Sequence, residues 1–108
     1  MPTTTVDAWT ALGDPTRRGI FARLVDRPQS VTELAEELPV SRPAVSQHLR
    51  VLKEASLVRV RQVGRHHIYR AHPQGLAQLR SELDAFWGTV LDNFKQLAEQ
   101  EQADDREH

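Results

Sequence analysis

The chain has 108 residues, no cysteine and a formal net charge of −1 at pH 7. This length suits one domain, and the lack of cysteine excludes disulfides, thiolate metal ligands and a cysteine nucleophile. No apolar run approaches the roughly 18 residues of a membrane-spanning helix, and the first residues have neither the basic nor the apolar part of a secretion signal. We therefore expect a cytoplasmic protein without membrane contact.

The near-zero total charge hides two segments of opposite sign. Residues 41–70 hold seven basic side chains against the single acid Glu54, a net +6, while residues 98–108 hold five acids against Arg106, a net −4. A basic segment of this kind is typical of a nucleic-acid-binding surface. We predict a folded domain over residues 1–100 and an acidic, disordered tail over residues 101–108.

Two helices are predicted at the start of the chain. Val6, Trp9 and Leu12 have the spacing of a short amphipathic helix. Asp14 and Pro15 then provide the N-cap and first-turn residues of a second helix. The apolar side of that second helix is formed by Ile20, Phe21, Leu24 and Val25.

The next two helices follow each other closely. Residues 30–33, SVTE, have the spacing of a capping box, and Pro39 ends the helix that starts there. Only Pro39 and Val40 separate it from Ser41, the N-cap of the following helix. Two capped helices joined by so short a turn predict a helix-turn-helix.

The helix predicted over residues 41–55 has an apolar and a polar side. At 100° per residue, Val45, Leu49 and Leu52 fall within about 60° of one another and should face the core. The polar side carries Arg42, Pro43, Ser46, Gln47, Arg50 and Glu54. Such a helix fits the DNA major groove, where Gln can pair with adenine, Arg with guanine and Ser with either base. The alternative interpretation is a solvated helix face.

A basic hairpin is predicted over residues 58–71. Val58 and Val60 alternate with Arg59 and Arg61, Gly64 marks the turn, and β-forming residues return after it. The tip, residues 61–65, is placed to contact phosphates or the neighbouring minor groove, which would add affinity without reading sequence.

The last predicted helix runs from about Gln74 to Gln100 and is long for so small a domain. Its apolar stripe consists of Leu76, Leu79, Leu83, Phe86, Trp87, Val90, Leu91, Phe94 and Leu97. A three-helix core with a hairpin cannot cover a stripe this broad, so we expect a second copy of the chain to bury the remainder.

Three segments, ALGDPTRRGIFARL, VTELAEELPVSRPAVSQHLRVLKEASLV and GRHHIYR, resemble the ArsR/SmtB family of winged-helix transcriptional repressors over about residues 6–97. The resemblance implies a mainly α fold with a small β-hairpin wing, and a homodimer that places its recognition helices in successive major grooves of a palindromic, double-stranded DNA operator. It implies DNA contacts by Ser41, Arg42, Pro43, Ser46, Gln47, Arg50, Arg61 and Arg65. It implies a dimer interface on the first and last helices, formed by Val6, Trp9, Leu12, Leu79, Leu83, Phe86, Trp87, Val90 and Phe94.

The metal sites of many family members have no counterpart in this sequence. Ala35 and Glu37 stand where one site type has thiolates, and the last helix has no His for the other type. We therefore expect no metal and no cofactor. The sequence resembles the branch without metal ligands, in which some members repress their own genes and some respond to a protein or a small molecule. The effector of this chain stays open.

Several residues have competing interpretations. His48 is expected to be half-buried and bonded to a backbone carbonyl, and His66 and His67 to point to opposite faces of a strand. Arg17 and Arg18 of the DPTRR segment could form an anion site, or could belong to helix capping and surface charge near the DNA backbone.

Two other classes of protein compete with a DNA-binding regulator. The sequence has no phosphate-binding loop, no nucleophile elbow and no spacing typical of a catalytic triad. We therefore predict that the protein is not an enzyme. A winged helix that only scaffolds protein contacts remains the alternative to DNA binding.

Overall fold

The computed structural model describes residues 7–107, and this part of the chain has five helices and three strands. In chain order the elements are α1 (Ala8–Ala11), α2 (Pro15–Asp26), β1 (Gln29–Ser30), α3 (Val31–Glu37), α4 (Arg42–Glu54), β2 (Val58–Val63), β3 (His66–Ala71) and α5 (Pro73–Glu107). The chain divides into two compact units, residues 1–76 and residues 77–108. Within residues 7–107, no helix is both long and apolar enough to cross a membrane.

Side-chain caps start each of the first four helices. The carboxylates of Asp7 and Asp14 and the hydroxyls of Ser30 and Ser41 each accept a hydrogen bond from the backbone N–H three residues later. At Ser30 the bond is reciprocal, because the Glu33 carboxylate accepts from the Ser30 N–H. The capping box and the other three caps satisfy N–H groups that a helix start leaves unpaired.

A Schellman motif ends α4. The Leu57 N–H donates to the Leu52 carbonyl and the Ser56 N–H to the Lys53 carbonyl, both at 3.0 Å. Ser56 has a φ of 62°, the left-handed conformation that this motif requires and that glycine adopts more easily. Leu52 and Leu57, which lie on either side of the reversal, are both fully buried.

The core of residues 7–76 is formed by one side of α1, α2, α3 and α4, together with Leu57 and the start of β2. Its buried apolar residues are Ala11, Ile20, Phe21, Leu24, Leu34, Val45, Leu49, Leu52, Leu57 and Val58. The prediction was wrong at Val25, which is 54% exposed, because it lies at the margin of the stripe on α2. The prediction omitted Ala11, which is fully buried although its side chain is a single methyl group.

The hairpin is the larger part of a three-stranded antiparallel sheet with strand order β1-β3-β2. Strand β1 was not predicted, since two residues cannot show an alternating pattern. It pairs Gln29 with Tyr69 and Ser30 with Ile68, and this pairing joins the middle of β3 to the start of α3.

Helix α5 continues to Glu107, beyond the end predicted at Gln100. Residues 98–107 contain no Gly or Pro, and their Ala, Glu and Gln residues favour a helix. The division into a domain over residues 1–100 and a tail over residues 101–108 stays a prediction.

Candidate nucleic-acid interface

Helix α4 presents the polar side that the sequence predicts. Val45, Leu49 and Leu52 are fully buried, and the predicted DNA-contacting residues of this helix and its cap are all exposed: Ser41, Arg42, Pro43, Ser46, Gln47 and Arg50. An α-helix with its side chains is about 10–12 Å in diameter, which fits the major groove of about 12 Å width.

The turn before α4 determines the direction of α4 relative to α3. Helix α3 ends at Glu37 and α4 begins at Arg42, and the two helices pack against each other. The Ser41 hydroxyl accepts from the Ala44 N–H at 3.3 Å, and Pro43, which has no N–H, lies in the first turn. This arrangement leaves the polar start of α4 at an exposed surface.

The wing, which is the hairpin of β2 and β3, closes through a two-residue loop. Val63 pairs with His66, so Gly64 and Arg65 form the loop, and Gly64 has a φ of 62°. A positive φ at the first loop position is what a type II′ turn requires. Arg61 and Arg65, the two predicted wing contacts, are both exposed.

Strand pairing adds two arginines that the sequence analysis did not single out. Arg59 lies directly opposite Arg70 and Arg61 opposite Ile68, so the three arginines share one face of the wing, because paired residues project to the same side. All three are exposed. The alternation of residues in β2 already indicates that Arg59 and Arg61 share a face. Only the strand register shows that Arg70 belongs to the same face.

Within the part of the chain that the structure describes, no ion pair joins a carboxylate to this basic face. The ion pairs of Glu37 with Arg23 and with Arg27 lie on neither the wing nor α4. Like charges placed opposite each other are unfavourable in the isolated sheet. Phosphate groups bound between these arginines would turn their mutual repulsion into attraction to the phosphates. The face is therefore suited to a polyanion.

Comparison with known proteins identifies the family. A model of a helix-turn-helix domain matches residues 12–61. The HTH-type transcriptional regulator Rv2034 of Mycobacterium tuberculosis is 54% identical over 94 residues, which are 87% of this chain and 88% of that protein. A solved possible transcriptional regulator for arsenical resistance has a TM-score of 0.67 at 52% identity, over 71% of this chain and 80% of its own. The ArsR-like transcriptional regulator from Rhodococcus sp. RHA1 has a TM-score of 0.64 at 39% identity, over 83% and 88%.

This chain belongs to the ArsR/SmtB family. It is a DNA-binding transcriptional regulator with a winged helix-turn-helix fold, and the family is not enzymatic. The fold and the class of function predicted from the sequence are thus confirmed.

In this ArsR/SmtB regulator the arginines of the DPTRR segment bond to α1. Arg17 Nε donates to the Ala11 carbonyl and Arg18 Nη1 to the Leu12 carbonyl, each at 2.7 Å. Both side chains therefore hold acceptors at the end of α1, which favours capping over the anion site. The backbone N–H of Arg17 is the largest cause of the lowered pKa of Asp14, and the charge of Arg17 lowers it further.

The partner of His48 differs from the one expected. Its ring is half-buried, as predicted, but Nδ1 lies 3.4 Å from Arg17 Nη1 rather than near a backbone carbonyl. His66 and His67 pair with Val63 and Gln62 respectively, so they project to opposite faces of the wing, as predicted.

The Glu37 carboxylate takes part in three side-chain contacts. It accepts from Arg23, from Arg27 at 2.9 Å and from the Gln29 amide at 3.0 Å. The Gln29 bond is the largest cause of its lowered pKa, and the charges of Arg23 and Arg27 add to it. No three His, Cys, Asp or Glu side chains within residues 7–107 are grouped to hold a metal ion.

The predicted dimer-interface residues lie on α1, at its end and on α5. Trp9 is exposed and Leu12 is half-buried, while Val6 lies outside the described residues. On α5, Leu79 and Val90 are half-buried, and four predicted residues are between 36% and 67% exposed: Leu83, Phe86, Trp87 and Phe94. The rings of Phe86 and Trp87 meet edge to face, with centroids 5.6 Å apart.

Proposed function

We propose that this ArsR/SmtB regulator is a cytoplasmic, homodimeric repressor that binds a palindromic operator through α4 and the wing. The observation that carries the proposal is the division of α4 into a fully buried apolar side and an exposed side with the chemistry of base recognition. An operator upstream of the regulator's own gene is the first candidate. An effector that releases the DNA, whether protein or small molecule, stays a prediction.

Within the proposed complex the residues of α4 divide by role. Gln47 and Arg50 are exposed one turn apart and have the donors and acceptors for adenine and guanine, and Ser46 can serve either base. Ser41 and Arg42 lie at the start of the helix, where unpaired N–H groups attract a phosphate. Pro43 packs at the groove edge. These roles give sequence recognition to the middle of α4 and positioning to its start.

The wing would contribute charge rather than recognition. Arg61 and Arg65 are the contacts expected from the family, and Arg59 and Arg70 share the face of Arg61. Each phosphate that an arginine neutralises releases counterions, so the wing should account for part of a steep salt dependence.

A dimer follows from the apolar surface of α5 and from the symmetry of operators. Six large apolar side chains of α5 are exposed in the single chain: Leu83, Phe86, Trp87, Leu91, Phe94 and Leu97. A soluble monomer seldom presents so much contiguous apolar surface. A second copy that buries this face would present two α4 helices to half-sites about one helical turn apart, or a multiple of that distance.

Fluorescence anisotropy tests the proposal. A labelled duplex from the DNA upstream of the gene and a scrambled duplex of the same composition are titrated with the protein over a salt series. We expect the upstream duplex to bind at least about a thousandfold more tightly, with an affinity that falls steeply as salt rises. Equal, weak binding to both duplexes would refute an operator at this locus, and equal binding to every promoter fragment tested would favour the protein scaffold.

A further inference from the structure

The side chain of Arg17 links α2 to α1 and to α4, and its backbone N–H completes the cap of α2. Its backbone N–H donates to the Asp14 carboxylate at 2.9 Å, its Nε to the Ala11 carbonyl at 2.7 Å, and its Nη1 lies 3.4 Å from Nδ1 of His48. One side chain at the start of α2 therefore holds the end of α1 and also contacts α4.

The chemistry of the contact fixes the state of the imidazole. A guanidinium can only donate hydrogen bonds, so Nδ1 of His48 must provide the lone pair and the ring proton resides on Nε2. A doubly protonated His48 has no such lone pair and would bring a second positive charge close to Arg17. The contact is therefore specific to the neutral ring.

His48 lies next to Gln47 in α4, so a rotation of the helix at His48 changes the direction in which Gln47 points. Its neighbours are Gln47, a candidate base reader on the exposed side, and Leu49, which is fully buried. The packing of Val45, Leu49 and Leu52 in the core limits rotation of α4. A hydrogen bond is directional, so the contact with Arg17 adds a polar constraint on rotation to the one that the core provides.

Helix α1 depends on the same side chain. It has only four residues, too few for a helix to be stable without tertiary contacts, and Arg17 and Arg18 bond to the carbonyls at its end. Arg18 makes its hydrogen bond to Leu12 and has none to α4 among the described residues. The two adjacent arginines thus share one role, and Arg17 has a second.

We propose that Arg17 is a positioning residue for DNA recognition, which fixes the rotation of α4 through the neutral His48 ring and couples that rotation to α1. The inference rests on the proposed operator binding by α4. A helix that reads base edges has to be placed within a fraction of an ångström and some 10–20°. Loss of the contact should therefore reduce operator affinity more than affinity for unrelated DNA.

The test compares variants of both partners by anisotropy on an operator and a scrambled duplex. Arg17→Lys keeps the charge but loses the fork, and His48→Leu removes the acceptor. We expect each to weaken operator binding about 25-fold, which is about fivefold for the one modest hydrogen bond lost in each subunit, with little change on the scrambled duplex and an unchanged salt dependence. The double variant should be no weaker than either single variant, because both changes remove the same contact.

Two further variants separate positioning from folding or charge. His48→Asn places an amide oxygen near the position of Nδ1 and should recover most of the affinity, and Arg18→Lys, the matched control, should bind as the unsubstituted protein does. Thermal unfolding followed by circular dichroism checks that all variants fold. Additive losses, equal losses on both duplexes, or His48→Asn as weak as His48→Leu would overturn the inference. If the unsubstituted protein fails to distinguish the duplexes at every candidate site, the proposed function itself fails and this inference with it.

Discussion

Single residues hold the junction between α4 and α5. Ser56, in its left-handed conformation, turns the chain after α4, and its carbonyl accepts from His72 Nδ1 at 3.0 Å. The His72 N–H donates to the Leu57 carbonyl at 2.8 Å. Gly75, in the first turn of α5, passes so close that a Cβ there would lie 1.9 Å from the Ser56 carbonyl oxygen. The absence of a side chain at Gly75 thus lets the start of α5 pack on this turn.

Substitution of two helical glycines should have opposite effects. Gly75→Ala should lower the free energy of unfolding by about 1–3 kcal/mol, because backbone atoms at the turn have to move. Gly19→Ala, in α2 with no atom within 4 Å of the added Cβ, should raise it by about 0.5–1 kcal/mol. Urea denaturation at one fixed protein concentration measures both. A Gly75→Ala variant as stable as Gly19→Ala would contradict the packing described here.

Glu37 makes stability depend on acid pH in a defined direction. The Gln29 bond and the charges of Arg23 and Arg27 lower its folded-state pKa from the ordinary value of 4.5. The unfolded chain therefore binds a proton here at a higher pH than the folded chain does. The stabilisation is fully present above pH 4.5 and is lost as pH falls through the folded-state pKa.

A comparison of two glutamates on α3 measures this effect. Glu37→Gln should be less stable than the unsubstituted protein at pH 7, and the difference should shrink as pH falls below about 4.5. Glu36→Gln is the control, since Glu36 is exposed and has no ion pair among the described residues. Urea denaturation across pH 3–7 measures the free energy of unfolding of each protein. If the difference between Glu37→Gln and the unsubstituted protein is constant over this range, Glu37 does not have this role.

Helices and strands differed in how well the sequence predicted them. The buried side of α4 was predicted in full because Val45, Leu49 and Leu52 repeat at helical spacing. The caps at Asp14, Ser30 and Ser41 were predicted because Ser and Asp are preferred at a helix start. Strand β1 and the common face of Arg59, Arg61 and Arg70 were not predicted, since strand pairing depends on residues distant in sequence.

The hydrogen-bond partners of long polar side chains also could not be predicted from the sequence. Arg17 could have contacted an anion, a carbonyl or a ring nitrogen, and only the packing of α1, α2 and α4 determines that it contacts the last two. The exposed side of α4 was predictable as a surface. Its base contacts remain a proposal, because both a solvated face and a base-reading face satisfy the same helical pattern.

The wing arginines should affect DNA affinity without affecting sequence preference. Arg59→Gln should weaken binding to operator and scrambled duplexes by similar factors. It should reduce the slope of log affinity against log salt by about 1.8, because each of the two subunits loses one phosphate contact worth about 0.9. Arg80→Gln removes one exposed charge on α5 instead and should leave the slope unchanged. A change in the ratio between the two duplexes for Arg59→Gln would show that this arginine reads bases.

Assembly of the protein should depend on one side of α5. Leu83→Arg places a charge on the apolar face, and we expect a monomer by size-exclusion chromatography with light scattering. Its operator affinity should fall strongly, because two linked half-sites bind far better than one. Ser81→Arg adds the same charge on the opposite side of the helix and should remain dimeric. A dimeric Leu83→Arg variant would move the interface to another surface.

Recognition of an operator by α4 is best tested with a variant that keeps its charge. Gln47→Ala combined with Arg50→Lys removes the bidentate donors and acceptors but retains the positive charge, so that binding to unrelated DNA persists. Anisotropy on the operator and scrambled duplexes should show the preference of the unsubstituted dimer reduced by at least about 4 kcal/mol, because the dimer loses four base contacts, two in each subunit, of about 1–3 kcal/mol each. The variant should remain dimeric. A variant that is dimeric and prefers the operator as strongly as the unsubstituted protein does would show that α4 does not read the DNA.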